Sequence, residues 1–219
     1  MKKIILTFVA VAFAQFITFS QDYGQQLAER VVKLDRAKSV DEYQILANDF
    51  IRLANSPKAD WKASYYAAFC NAKIGWLYQE NPDKIEPFAK LSEQQIKKAE
   101  SFLDASTQKK ALSEVYVVTS MMNRAKVFIN PMVNGRKFGP ISQKFQDMAE
   151  KLYPENPRAT YLDAWVKFYT PKMWGGDKEK GKELAQTALE LLDKEPDSNT
   201  DPHWGKSECE AILKAYDKH

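Results

Sequence analysis

The stretch PRATYLDAWVKFYTPKMWGGDKEKGKELAQTALELLDKE (157–195) decides the fold. Pro157 suits a first helical position, where its missing N–H would have had no partner in any case. Tyr161, Trp165, Phe168 and Tyr169 then recur at steps of three and four, which gathers the aromatics on one helical stripe. Thr170-Pro171 ends that run, because the residue before a proline is pushed out of the helical region. Trp174-Gly175-Gly176-Asp177 turns the chain, with Asp177 placed to accept from free N–H groups at the start of a second helix. Gly181, Leu184, Ala185, Ala188, Leu191 and Leu192 form the apolar face of that helix, and Pro196 stops it. The segment reads as a helical hairpin.

The small residues Gly181, Ala185 and Ala188, behind an aromatic-rich first helix, resemble the second-helix pattern of tetratricopeptide repeats. Met148-Ala149 through Leu152 to Pro154 is similar to the end of such a repeat, and Ile96 with Ala99 is a third echo at the same spacing. WGGDKEKG (174–181) and PHWG (202–205) are also similar to segments of secreted bacterial repeat proteins. The tryptophan, leucine-glycine and tyrosine of a regular first helix do not line up here, and the loop at Trp174 is longer than the family's turn. The resemblance implies stacked helical hairpins with a binding role, and it names no ligand.

Read outward from that hairpin, the rest of the chain predicts an all-α protein of eight to nine stacked antiparallel helices, a tetratricopeptide-like α-solenoid forming a single domain over 21–219. Leu27, Val31 and Leu34 share one face of a helix over 23–37. Ser39-Val40-Asp41-Glu42 has capping-box spacing, predicting a helix from there to about Ala54. Two segments are apolar nearly all round, 60–79 and 108–129, and such helices pack against several neighbours. Val115-Tyr116-Val117-Val118-Thr119 is rich in strand formers, but the alanines, methionines and charges at helical spacing around it favour a helix. NPMVNGRKFGP (130–140) reads as a loop turning at Asn134-Gly135. Trp174 and Trp204 are expected to pack on neighbouring helices.

The chain opens with Lys2-Lys3 and an apolar run from Ile4 to Phe19, ending in Ser20. This is the layout of a secretory signal peptide over 1–20, with cleavage favoured over a retained anchor. A mature chain from Gln21 is thus expected in the periplasm or outside the cell, with no membrane insertion after cleavage. Lys+Arg number 32 against Asp+Glu 29, and removing Lys2 and Lys3 leaves 30 against 29. So balanced a chain has no electrostatic reason to seek nucleic acid. Cys70 and Cys209 fall in an early and a late helix, and are expected as two buried thiols rather than a disulfide.

No catalytic, metal-binding or cofactor motif is present, and an enzyme is not expected. His203 and His219 have no Cys, His or carboxylate partner at ligand spacing, although Asp201 and His203 stand close enough in sequence to meet a ligand together. The candidate binding residues are Trp61, Tyr65, Asn123, Arg124, Tyr161 and Trp165. They sit on the first helices of the hairpins, which line the concave face of a solenoid, and they combine apolar bodies with hydrogen-bonding tips. The competing expectation for each aromatic is burial in the core. Asn123-Arg124 is the least core-like pair, since an unpaired buried arginine is costly. The leading expectation is a module that binds a protein or peptide partner. The alternative is a solute-binding component of an envelope transport system with an aromatic-lined pocket.

Overall fold

Asn156 starts the decisive hairpin: its side chain accepts from Arg158 N and Ala159 N, and Pro157 takes the first helical position. A computed structural model describes residues 23–218. The expected signal segment and His219 lie outside the described residues. Nine α-helices are described: α1 (23–34), α2 (Val40–Ala54), α3 (Trp61–Leu77), α4 (Ile85–Glu100), α5 (Lys109–Ile129), α6 (Pro131–Leu152), α7 (Pro157–Tyr169), α8 (Lys178–Leu192) and α9 (Lys206–Tyr216). No strand occurs among the described residues. The all-α expectation holds, and no helix among these residues is long and apolar enough to cross a membrane.

Helices adjacent in sequence pack on one another: α2 on α3, α3 on α4, α4 on α5, α5 on α6, α7 on α8 and α8 on α9. The two helices that read as apolar all round, α3 and α5, touch each other and several more: α3 packs against α2 and α4, and α5 against α4, α6 and α7. Tyr65, Tyr66, Phe69, Cys70 and Ile74 of α3 and Val115, Val117, Val118 and Met121 of α5 are all buried. Each large apolar side chain so buried contributes about 1.5–3 kcal/mol. Trp76 fixes the register of the two helices by donating from Nε1 to the Met121 carbonyl at 2.9 Å.

The Ser39–Glu42 capping box forms as the spacing predicted. Small residues matter where α7 meets α8: Ala185 and Ala188 are fully buried, and a Cβ at Gly181 would stand 2.8 Å from Phe168 Cβ. Cys70 and Cys209 are both free and buried. Burial pushes both thiols up, Cys209 to about 12. Neither is expected to react with a thiol reagent in buffer at pH 8, and both should titrate once urea unfolds the chain; labelling of the native protein would contradict this.

Two local expectations are corrected. Residues 130–140 are not a loop but the first half of α6. Asn130 caps it by accepting from Val133 N at 3.2 Å, Pro131 sits at its first position, and Asn134 donates to the Lys126 carbonyl at 2.8 Å. Packing along α5 thereby overrides the Asn-Gly turn signal. Pro140 removes one helical donor, but it and Arg136, whose carbonyl loses the bond, are exposed to water. Trp174 does not pack on a neighbouring helix either: it is 62% exposed and the adjacent Met173 is 82% exposed. Trp204, by contrast, is packed as expected.

Candidate functional site

The polar segment between α8 and α9 is pinned to α3. Ser198 Oγ accepts from Thr200 N and Asp201 N, rounding the chain. Tyr66 OH donates to the Thr200 carbonyl at 3.1 Å, and Lys62 Nζ reaches Thr200 Oγ1 at 3.2 Å and Asp201 at 2.6 Å. The loop so held lays the Trp204 indole on Phe69, with ring centroids 4.6 Å apart, and edge-on to Tyr161 at 5.9 Å. Gly205, at φ 122°, then turns the chain into α9; few residues other than glycine adopt that angle.

Beneath Trp204 runs a buried polar chain. Its Nε1–H donates to Tyr65 OH at 2.8 Å, and Tyr65 OH donates to Glu114 Oε2 at 3.2 Å. Glu114 accepts from Arg158 Nε at 2.8 Å, and the two terminal nitrogens of Arg158 fork onto Glu195 at 2.8 and 2.6 Å. Arg158 is fully buried and Glu114 nearly so. Burial alone would lower the guanidinium pKa, but the two carboxylates outweigh it and raise it. Burial, reinforced by Glu114, drives Tyr65 well above an ordinary phenol. The network satisfies its charges and ties α5, α7 and the turn that follows α8 to α3.

Two cavities flank this junction. One, of about 310 Å³, is bordered by Trp61, Lys62, Lys110, Glu114 and Arg158. The other, of about 420 Å³, is bordered by Leu34, Tyr43, Tyr66, Phe69, Trp204 and Glu208. His203 borders both. Its Nδ1 lies 2.9 Å from the Asp201 carbonyl, which can only accept, so Nδ1 carries the hydrogen and donates. Its Nε2 lies 3.0 Å from Asp35 Oδ1, an oxygen that likewise only accepts, so Nε2 donates too in this half-exposed contact, a kind worth about 0–1 kcal/mol.

In the second cavity Glu208 pairs with Lys73 at 2.7 Å. Burial raises its pKa, but Lys73 and the Ser207 hydroxyl prevail and hold it below the usual glutamate range. The depressed folded-state value means that the pair stabilises the fold at neutral pH, and that this stability is lost as pH falls through the folded pKa. Glu208→Gln is therefore expected to flatten the acid limb of a plot of unfolding midpoint against pH below about pH 5; an unchanged limb would show that the pair contributes nothing.

Three of the six candidate residues read from the sequence converge here. Trp61 is half-buried at the edge of the first cavity, 5.4 Å from the Tyr65 ring, while Tyr65 and Tyr161 are buried against Trp204. The other three lie elsewhere. Trp165 joins Trp76 at 4.6 Å, Tyr169 at 5.1 Å and Phe128 at 5.9 Å in a separate aromatic cluster. Asn123 is buried and donates to the Thr119 carbonyl at 2.9 Å. Arg124 is half-buried, its Nε has no hydrogen-bond partner, and burial lowers its pKa.

Sequence reasoning missed Arg158 and Glu114, although a signal was present. Arg158 falls on one stripe with Leu162 and Trp165, and Glu114 on one stripe with Val118 and Met121. A charge at a core position of an apolar stripe calls for a buried opposite charge.

No protein-family model matches the chain, and no curated protein matches it. Among solved structures the chain is similar to the HusA haemophore from Porphyromonas gingivalis, with a TM-score of 0.77 and 29% sequence identity. The likeness covers 90% of this chain and 93% of that one.

Proposed function

We propose that this protein is a secreted, non-catalytic binding module whose cargo is haem or a related porphyrin. The likeness to a haemophore along nearly the whole of both chains carries the reading. It favours the small-ligand alternative of the sequence over the peptide-binding one. Secretion rests on the signal-like segment 1–20.

The cavities at the Trp204 junction are of the kind such a cargo requires. A porphyrin is a flat apolar ring with two carboxylates and, in haem, an iron that takes nitrogen or oxygen ligands. Trp61, Tyr66, Phe69 and Trp204 offer aromatic surface, Lys62 and Lys110 offer positive charge at the rim, and His203 offers an imidazole. Cavities of 310 and 420 Å³ fall within the range of about 300–1,000 Å³ usual for ligand pockets.

The test is a titration of the mature chain from Gln21 with ferric haem, followed by visible absorption and thermal unfolding. Saturable binding with a shifted Soret band and a raised unfolding midpoint is expected, since a ligand that binds only the folded state stabilises it. Absorbance identical to that of haem with an unrelated helical protein, with no change in midpoint, would refute the reading.

Tetratricopeptide-like stacking is supported by the tight α7–α8 contact at Gly181, Ala185 and Ala188. A protein partner is a second reading, favoured by one observation: Tyr169, Met173 and Trp174 are exposed apolar side chains within six residues of one another in sequence, and Tyr169 packs on Trp165. Capture of an envelope protein by the native chain, lost in Met173→Ser/Trp174→Ser, would support it; capture unaffected by the double substitution would remove that loop as the contact.

A further inference from the structure

We infer that the channel between α6 and α7 is a second seat for the cargo, in which Arg124 pairs with a carboxylate of the ligand. This rests on the porphyrin-binding reading above and adds a place distinct from the Trp204 junction. The state of Arg124 carries the inference. Its Nε is buried without a hydrogen-bond partner, and among the described residues no carboxylate pairs with it. Burial, with no neighbouring charge to oppose it, lowers its pKa. Arg158, by contrast, is buried between two glutamates. An unpaired cation held out of water is costly, and an anion from outside the chain removes that cost.

The turn of α5 fixes which way Arg124 faces. One turn before it, the Ser120 hydroxyl lies 3.0 Å from the Ser142 hydroxyl of α6. One turn after it, the Phe128 ring lies 5.9 Å from the Trp165 ring of α7. Residues four apart share a helix face, so Arg124 stands between those contacts, at the floor between α6 and α7. These two helices meet where Gln146 donates to the Ala159 carbonyl. Gly139 lies seven residues before Gln146 on the same stripe of α6, and a Cβ there would touch nothing within 4 Å. A Cβ on Gly135, one turn further, would reach only Val127 of α5, at 4.0 Å. The α6 side of the channel is therefore bare backbone.

The α7 side is aromatic. Tyr169, 48% exposed, packs on Trp165 at 5.1 Å, and Trp76 backs Trp165 at 4.6 Å. A bare wall opposite an aromatic one suits a flat ring, and the guanidinium at the floor suits its carboxylate. Charge sets the orientation. Near Gln146 the carboxylates of Asp147, Glu150 and Asp163 act on one another, and burial followed by that repulsion raises Glu150. An anionic group is thus favoured at the Arg124 end and disfavoured at the other.

The experiment follows the isotope-labelled native chain by nuclear magnetic resonance while iron-free protoporphyrin IX, or its dimethyl ester, is added. The Arg124 Nε–H signal, identified by its absence in Arg124→Gln, is expected to move with the diacid and not with the ester. The amides of Gly135 and Gly139 should move with both. Arg124→Gln is expected to weaken the diacid at this site by about tenfold or more, as loss of a charge-assisted hydrogen bond does, and the ester by less than about twofold. Gly139→Trp, which fills the open space, should abolish the shift at Arg124. The free protein gives an independent check. Because Arg124 has no partner there, Arg124→Gln should unfold at the native temperature or above it, and a lowered midpoint would overturn the inference. Shifts confined to residues around Trp204 also overturn it and leave the porphyrin reading intact. A native chain that responds to neither probe overturns both. Equal weakening of the two probes by Arg124→Gln would mean that the arginine shapes the channel without pairing with a carboxylate, which again overturns the inference. Circular dichroism of each variant separates these results from a loss of fold.

Discussion

Arg158→Met is expected to destabilise the fold by about 3–5 kcal/mol, among the largest losses available to a single substitution here. Methionine fills the space of the arginine stem, so the effect comes from charge rather than from a cavity. Removing the guanidinium leaves Glu114, 1% exposed, with only the Tyr65 hydroxyl in place of the cation whose Nε–H its two oxygens share. Glu195, at the edge of the network and 3.9 Å from Lys110, has water and a second cation to turn to and suffers less. The penalty should thus reside mainly in Glu114. The double variant Arg158→Met/Glu114→Gln is expected to recover more than half of the loss, since a neutral amide costs far less to bury than an unpaired carboxylate. Urea unfolding of the native chain, both single variants and the double variant forms a cycle that measures the coupling directly. A coupling below about 1 kcal/mol would show that the buried pair is energetically neutral.

Trp204→Ala is expected to cost about 3 kcal/mol, near the lower end of the range for deleting a buried large aromatic, because the indole is only partly buried. The loss combines the stack on Phe69, the edge contact with Tyr161 and the hydrogen bond to Tyr65. Trp204→Phe separates them. A phenyl ring keeps most of the apolar contact but cannot donate to Tyr65, so about 1 kcal/mol should be lost. Denaturant unfolding checks both values. If the phenylalanine variant is as unstable as the alanine variant, the hydrogen bond rather than the ring holds the loop. The same pair bears on function: with Trp204 gone, the second cavity loses one wall, and affinity for a flat aromatic cargo should fall in the alanine variant and be largely kept in the phenylalanine one.

These two residues also show what kind of feature the sequence displays and what kind it conceals. Periodicity is a local property, and the helices it marks appear where expected: the capping box at Ser39, the proline start at Pro157, the apolar-all-round α3 and α5 at the centre. Small residues at Gly181, Ala185 and Ala188 likewise announce a close helix contact, since only missing side-chain volume permits it. Local signals fail where packing outweighs them. Asn134-Gly135 is a strong turn signal, yet 130–140 is helical because Asn130 caps it and Asn134 bonds across to α5. The WGGD turn forms, but its tryptophan faces water, and nothing within the loop dictates the direction of a side chain.

The candidate site was legible in part for the same reason. Trp61, Tyr65 and Tyr161 could be picked out as aromatics on helix stripes, but a stripe does not say whether its residues end in the core or beside a cavity. Arg158 and Glu114 lie 44 residues apart, and Trp204 is 139 residues from the tyrosine it bonds. Pairings at such separations leave no trace in local spacing. By itself the sequence determined the helical class, the positions of most helix ends and the signal-like opening, because capping, proline geometry and apolar period act over a few residues. Only the tertiary structure decided that a loop of the last hairpin would close over α3, bury an arginine between two glutamates and set His203 between two cavities. Those outcomes depend on which helices become neighbours, and the folded chain settles that through the burial and pairing of distant groups.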